Sequence, residues 1–339
     1  MRCPSLNELP APPTGKTGWP WNEEVAQIES SPPGGGDWPC LSLVSTCLNR
    51  AEYIEESIRS ALLQGYPNID FVIIDGGSTD GTVAIIEKYR PWISSFVSEP
   101  DDGPGFAANK AFKLIKGDRM VYVLSDDSLL PGALEAVGRH HVEHPEALLV
   151  ADIVIHDQAT GEERVAEQNA FNLKHLVEFW KDEKGAAFWS GIGILIPVPL
   201  LKEMGGYDVS LRYASDAEMN IRLLSRTSAV YIHETIARFR VHAGSLTMGE
   251  TKDVALAESV VVTRRHRRLV RDFDSAGFRE YCRGLAPHVF HYGMQRVKRR
   301  QRGGLKSLFA AFRLGPIAAV APSIRAFFRR FSRSGGSGS

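Results

Sequence analysis

The chain has 339 residues, with 40 Lys and Arg against 40 Asp and Glu and an apolar fraction of 43%. That length allows one large α/β domain with an extension or two small domains, and the apolar fraction is ordinary for a protein with a substantial core. The zero formal charge hides an asymmetry. No acid follows Glu280, whereas twelve Arg and Lys lie between Arg283 and Arg333, leaving 28 bases against 40 acids in residues 1–280. An acidic body with a basic tail excludes a nucleic-acid-binding body and gives the tail an anionic surface as its expected partner. The cysteines Cys3, Cys40, Cys47 and Cys282 form no CxxC pair and read as reduced core thiols. No apolar run is long enough to span a bilayer. The longest, Ile192 to Leu201, is broken by Pro197 and Pro199 and reads as core.

Residues 1–38 are Pro- and Gly-rich and are expected to be irregular, with the indoles of Gly18-Trp19-Pro20-Trp21 docked on the body. From Leu41 the pattern alternates. Strand 41–47 leads to amphipathic helix 51–64, strand 70–75 to helix 80–90, strand 95–98 to helix 105–116, and strand 120–125 to helix 131–144. Four successive β-α units predict a doubly wound, mainly parallel sheet. The second half is more mixed. It reads as strand 148–156, helix 172–181, an apolar stretch 187–197, helix 215–226, strands 228–232 and 236–241, and one or two long helices over 252–300. His140, His141 and His144 fall on a predicted helix and read as surface. The expected division is a leader (1–38), a catalytic domain (39–248), a helical basic extension (249–333) and an appended Gly/Ser linker (334–339).

Two of the strands run into acid. Val121-Tyr122-Val123-Leu124 precedes Ser125-Asp126-Asp127, and Phe71-Val72-Ile73-Ile74 ends at Asp75-Gly76-Gly77-Ser78-Thr79-Asp80-Gly81. Ligands of open α/β sheets bind beyond the carboxyl ends of the strands. Hard cations take one or two carboxylates together with substrate phosphate oxygens. Acids at two strand ends therefore point to a metal-bridged nucleotide diphosphate, although one such pair alone would serve equally as a turn capping the next helix.

Taken with Leu43-Val44-Ser45-Thr46-Cys47-Leu48-Asn49-Arg50, Ser98-Glu99-Pro100-Asp101-Asp102-Gly103 and Asn109-Lys110, these segments resemble glycosyltransferase family 2 in order and spacing. The resemblance covers about residues 40–245. It also takes in the Gly18-Trp19-Pro20-Trp21 leader of one bacterial branch. It implies a GT-A fold and inverting transfer from a nucleotide-diphosphate sugar, of hexosyl or N-acetylhexosaminyl type, in bacterial cell-surface polysaccharide synthesis. By position in the family, Thr46, Asn49 and Asp75 form the nucleotide wall. Asp102, Asn109 and Lys110 hold ribose and diphosphate, with Asp101 on the same loop. Asp126 faces ribose or sugar, and Asp127 binds Mg²⁺ or Mn²⁺. His242 falls where such enzymes often place a histidine near the metal. Many relatives carry Tyr at the position of Leu48, a second Asp at Gly76 and a polar residue at Leu124, so the donor base stays open.

Inversion by direct displacement needs a base to take the acceptor's proton. Asp216, in Tyr213-Ala214-Ser215-Asp216-Ala217-Glu218, is the candidate; Glu218 is the runner-up, and Ser215 or Asp216 would equally cap a helix. The acceptor is expected to be a saccharide, lipid-linked, reached from the cytoplasmic side. The basic aromatic stretches 304–314 and 324–331 would lie on the inner face of the membrane or pack on the acidic body. A polyprenyl-phosphate sugar transferase, needing no base, is the alternative enzyme. A nucleotide- or saccharide-binding module without turnover is the alternative outside enzymology.

Overall fold

A computed structural model describes residues 1–28, 31–181, 191–245 and 252–298, together with Phe309, Ala311 and Leu314. Residues 187–190 of the apolar stretch, most of segment 304–314, all of 324–331 and the Gly/Ser end lie outside the described residues. Two compact units are present, one of residues 1–176 and 187–243, the other of 177–186 and 244–339.

Among the described residues, nine strands of the first unit form one sheet. β1 (Leu41–Cys47), β2 (Ile69–Asp75), β3 (Ser95–Ser98) and β4 (Arg119–Tyr122) are joined by α1 (Ile54–Leu62), α2 (Thr82–Lys88) and α3 (Pro104–Leu114). They pair in parallel in the order β3-β2-β1-β4. β1 and β2 are buried almost throughout, which suits the apolar run Phe71–Ile74 of β2 and also encloses Ser42 and Ser45 of β1. Beyond β4 come β5 (Ser128–Leu129), α4 (Ala133–Glu143), β6 (Leu148–Asp157), β7 (Glu163–Ala166), α5 (Leu173–Val177), β8 (Ile194–Pro197), α6 (Val198–Met204), α7 (Ser215–Leu224) and β9 (Ala229–Val241). β8 runs antiparallel between β4 and β6, and β9 lies parallel to β6. The carboxyl ends of β1, β2, β3, β4 and β9 therefore share one edge of the sheet. This is the mixed α/β sheet expected of a GT-A fold, with the parallel half first.

The differences from the sequence reading are local. Strands 228–232 and 236–241 are one strand, β9. A kink at His233 (φ +52°) and a register shift opposite Val150–Ile153 replace the expected turn. Helix 172–181 stops at Val177 and continues as a separate 3₁₀ turn, Phe179–Lys181. The prolines taken as breaks begin α6 instead, because a proline in the first turn loses no helical hydrogen bond. His141 is half-buried and accepts from Arg119 Nε at 3.1 Å, so it is not a surface residue.

Among its described residues the leader holds no regular element besides a 3₁₀ turn, Leu6–Glu8, yet it is pinned. Arg59 of α1 is fully buried and donates to the carbonyls of Pro10 (2.8 Å), Pro20 (3.0 Å) and Trp21 (2.8 Å). Trp19 Nε1 donates to Leu129 O at 2.8 Å. A buried guanidinium is tolerated because carbonyl acceptors replace its water.

In the second unit, α8 (Lys252–His266) and α9 (Ser275–Lys298) pack through Ala257, Val260, Phe278, Cys282, Leu285 and Val289. Phe179 and Trp180 join this cluster against Phe273 and Tyr281.

Candidate active site

On the β1–β4 side, Thr46, Asn49 and Asp75 sit where strands leave the sheet, whereas Asn109 and Lys110 lie within α3. Asp75, the last residue of β2, is fully buried. Its carboxylate accepts from the N–H groups of Gly77 (3.1 Å) and Ser78 (2.9 Å), from Ser98 Oγ (2.7 Å), from Ser78 Oγ, and from Cys47 Sγ (3.5 Å). Burial works to raise this carboxyl, but the bonds from Ser78 and then Ser98 and Cys47 outweigh it and hold it below the usual range. Asn49 adopts φ +54°, and its Oδ1 accepts from Thr79 N at 2.9 Å, so it braces the same loop. Thr46 is half-buried one residue before the end of β1.

Between β3 and α3 the two acids differ. Asp102 is exposed. Asp101 is turned inward: Oδ1 accepts from Gly103 N at 2.9 Å, and Oδ2 is buried without a hydrogen-bond partner. A Cβ on Gly76 would lie 3.3 Å from both carboxylate oxygens of Asp101, which explains why no side chain stands there. Lys110 pairs with Glu99 at 2.8 Å. Asn109 is committed to the chain itself: Nδ2 donates to Tyr207 O (3.0 Å) and Oδ1 accepts from Tyr207 N (2.7 Å). The amide thus clamps the Gly206-Tyr207 loop. The approach is close enough that a Cβ on Gly206 would sit 2.5 Å from Asn109 Oδ1.

The second acidic group follows β4. The Asp127 carboxylate is 2% exposed; Oδ1 accepts from Arg240 N at 2.7 Å, and Oδ2 is buried without a hydrogen-bond partner. Burial, and next the charge of Asp126, push this carboxyl well above the usual range. Asp126 Oδ2 lies 3.2 Å from His242 Nε2 and 3.3 Å from Arg50 Nε. Arg50 thereby ties the end of β1 to the end of β4, and β9 delivers both Arg240 and His242. Among the described residues no group of three His, Cys, Asp or Glu is placed to hold a metal unaided. The arrangement still fits one hard cation that takes other ligands from a substrate diphosphate. It offers one orphaned, desolvated carboxylate oxygen beside a second acid and an imidazole.

Asp216 occupies the first turn of α7. The N-cap position is Ala214, and Asp216 Oδ1 accepts from Ala217 N at 2.8 Å, so its carboxylate satisfies a first-turn N–H of the helix. The Tyr122 hydroxyl, from β4, donates to that of Tyr207 at 3.0 Å. Burial raises both hydroxyls, and the nearby charge of Asp216 raises them further. The charge of Asp216 is thus felt at Tyr122 of β4 and at Tyr207 of the loop that follows α6. Glu218 is 5% exposed and holds Arg222 Nε through both oxygens at 3.0 and 2.9 Å, while that guanidinium donates to Met204 O (2.6 Å) and Gly206 O (2.7 Å). Glu218 braces a loop.

Residues 42–198 match the family model described as Glycosyl transferase family 2. Residues 42–198 form a glycosyltransferase family 2 domain. It is 28% identical over 218 residues to an uncharacterized glycosyltransferase of Rickettsia typhi, covering 62% of this chain and 66% of the relative, just under two thirds of its length. Staphylococcus aureus TarS, a poly(ribitol-phosphate) beta-N-acetylglucosaminyltransferase, is 34% identical over 110 residues, which is 30% of this chain and 19% of the relative. TarS residues 1–349 in complex with UDP-GlcNAc superpose with a TM-score of 0.55 at 17% identity, over 84% of this chain and 91% of that one. The mannosyltransferase PcManGT of Pyrobaculum calidifontis, in complex with GDP-Man and Mn²⁺, gives 0.51 at 15% identity, over 93% and 85%. These likenesses show the GT-A fold.

Several polar residues near this strand edge carried no sequence signal of a role. Arg240 donates through N to Asp127, through Nε to Asp126 O (3.0 Å) and through Nη2 to Glu56 (2.6 Å), and stacks 5.4 Å from the Tyr53 ring centre. Tyr53 also packs on His242, 4.6 Å between ring centres. Glu56 and Arg240 lie 184 positions apart, and only the shared strand edge brings them together.

Proposed function

We infer that this chain is a metal-dependent inverting glycosyltransferase of cell-surface polysaccharide synthesis, moving a sugar from a nucleotide-diphosphate donor to a saccharide hydroxyl. The observation that carries the reading is Asp127 Oδ2, a buried carboxylate oxygen without a hydrogen-bond partner at the carboxyl edge of a parallel sheet. A desolvated carboxylate is costly unless a cation compensates it. Asp127, with Asp126 and His242, would hold Mg²⁺ or Mn²⁺, which when bound supplies Lewis-acid stabilisation of the charge on the departing nucleoside diphosphate. The β1 and β2 ends, with Thr46, Asn49, Asp75 and Asp101, form the donor side. Asp216 accepts the acceptor's hydroxyl proton as its oxygen bonds to the anomeric carbon and the bond to the diphosphate breaks, inverting that centre.

The relatives TuaG and TarS, named for teichuronic acid biosynthesis and for poly(ribitol-phosphate) modification, support a polysaccharide acceptor. A lipid-linked acceptor at the inner membrane face is part of the same proposal. No helix among the described residues is long and apolar enough to cross a membrane. The test is incubation with radiolabelled nucleotide sugars, Mn²⁺ and saccharide acceptors. Asp127→Ala should abolish turnover, whereas Asp216→Asn should abolish transfer and spare donor binding. An active Asp216→Asn variant would reassign the chain to polyprenyl-phosphate sugar transfer. Donor binding without turnover in the native protein would make it a binding module.

A further inference from the structure

The second unit carries a cavity of about 500 Å³ that no step above uses, lined by Arg264, Arg267, Phe278, Arg279, Cys282, Arg283 and Leu314. Four of these seven residues are arginines, and none is acidic. The convergence is built by the helix geometry. Arg279 and Arg283 are four residues apart on one face of α9. Phe278 and Cys282, offset by one position, turn into the packing against α8. Arg264 stands in the last turn of α8, and Arg267 follows in the next turn. Phe278, Cys282 and Leu314 are buried and give the cavity an apolar floor.

Arg264, Arg267, Arg279 and Arg283 are all exposed around the hollow, so their guanidiniums are reachable by a ligand from solvent and present one sign of charge to it. Their planar forks match phosphate oxygens in pairs, and a hollow of this size suits a small ligand. We propose that this cavity is a binding site for a phosphate- or diphosphate-bearing ligand, distinct from the donor site. It does not depend on the transferase reading. Such a group comes either as a soluble anion or as the headgroup of an anionic lipid, and both present the same oxygens to the same forks.

The test uses the full chain, with EDTA present so that a cation-bridged diphosphate at the strand edge is silent. Inorganic pyrophosphate is titrated calorimetrically. Sedimentation is measured with vesicles of phosphatidylcholine, with and without phosphatidylglycerol. The paired change Arg264→Gln with Arg283→Gln is compared with Arg325→Gln with Arg329→Gln, which removes the same charge from the basic tail. A weakening of about tenfold or more confined to the cavity pair supports the proposal. Loss of pyrophosphate binding identifies a soluble anion, and loss of vesicle binding alone identifies a headgroup. Arg279→Lys keeps the charge without the fork and should fall between native and the cavity pair; it also reports on the site if the double variant folds poorly. Equal effects from both pairs, or none from the cavity pair on either probe, overturn the site. Donor turnover is then untouched as an argument.

Discussion

The main-chain N–H of Arg240 donates to Asp127 Oδ1 at 2.7 Å, while the other oxygen of that carboxylate is buried without a hydrogen-bond partner. One residue of β9 thus fixes the orientation of the acid that follows β4, 113 positions earlier. Asp127→Asn keeps an acceptor for Arg240 and removes the charge that burial disfavours. The variant should therefore melt at or slightly above the native temperature, by up to about 1 kcal/mol, while turnover falls at least about 100-fold. Differential scanning calorimetry beside a donor-hydrolysis assay checks both halves. A destabilised but active variant contradicts the cation role.

Arg240 itself reaches three acceptors with one side chain and its backbone. Arg240→Ala leaves Glu56, 17% exposed at its side chain, without that partner, and should cost about 2–4 kcal/mol. Arg240→Lys restores charge but has no fork to serve both Glu56 and the Asp126 carbonyl, so it should recover less than half of the loss. Urea unfolding of the three proteins measures this.

How much of this was legible depended on range along the chain. The β-α alternation is a local signal, and strand ends marked by acids announced one edge of the sheet. Asp75, Asp126 and Asp127 were therefore readable before any coordinates. Arg59, Arg240 and Glu56 carry no local pattern, because their partners are supplied by distant segments. The Asn109 clamp was hidden for the same reason: its partner, the Tyr207 backbone, lies 98 positions later. Asp101 and Asp102 were indistinguishable in sequence, and only the turn at Gly103 decides which one faces inward.

The Asn109 clamp makes a kinetic prediction. Asn109→Ala frees the Gly206-Tyr207 loop and with it Tyr207, whose hydroxyl accepts from Tyr122 and feels the charge of Asp216. Transfer to acceptor should fall by roughly 10- to 100-fold with donor affinity nearly unchanged. A drop in donor affinity alone would return Asn109 to the diphosphate. Titration of the nucleotide sugar and initial rates at varied acceptor separate the two outcomes.

Glu218 and Asp216 stand two residues apart on α7, and the proposed mechanism gives them different work. Glu218 is enclosed with Arg222 and holds the carbonyls of Met204 and Gly206 through it. Glu218→Gln should lower stability by about 1–3 kcal/mol and retain measurable transfer, because a buried charge pair is broken while the base remains. Asp216→Asn should leave the melting temperature within about 1 °C and remove transfer. The reverse pattern would exchange the two roles.

The last prediction concerns pH and lies away from the strand edge. His141 accepts from Arg119 Nε, and burial first, then the Arg119 charge, lower its pKa to about 4, with Asp118 opposing. The unfolded chain protonates this imidazole below about pH 6.5. The folded chain keeps it neutral, so between pH 6.5 and 4 the unfolded state binds more protons. Stability is therefore complete above pH 6.5 and is lost as pH falls toward 4. Asn in place of His141 offers Arg119 an oxygen acceptor without a titrating group. The native protein should lose about 1–2 kcal/mol more than His141→Asn between pH 7.5 and 4.5, the figure being reduced for the partial exposure of the ring. Paired denaturant melts at the two pH values give the difference directly, and parallel losses in the two proteins would remove His141 from the acid response.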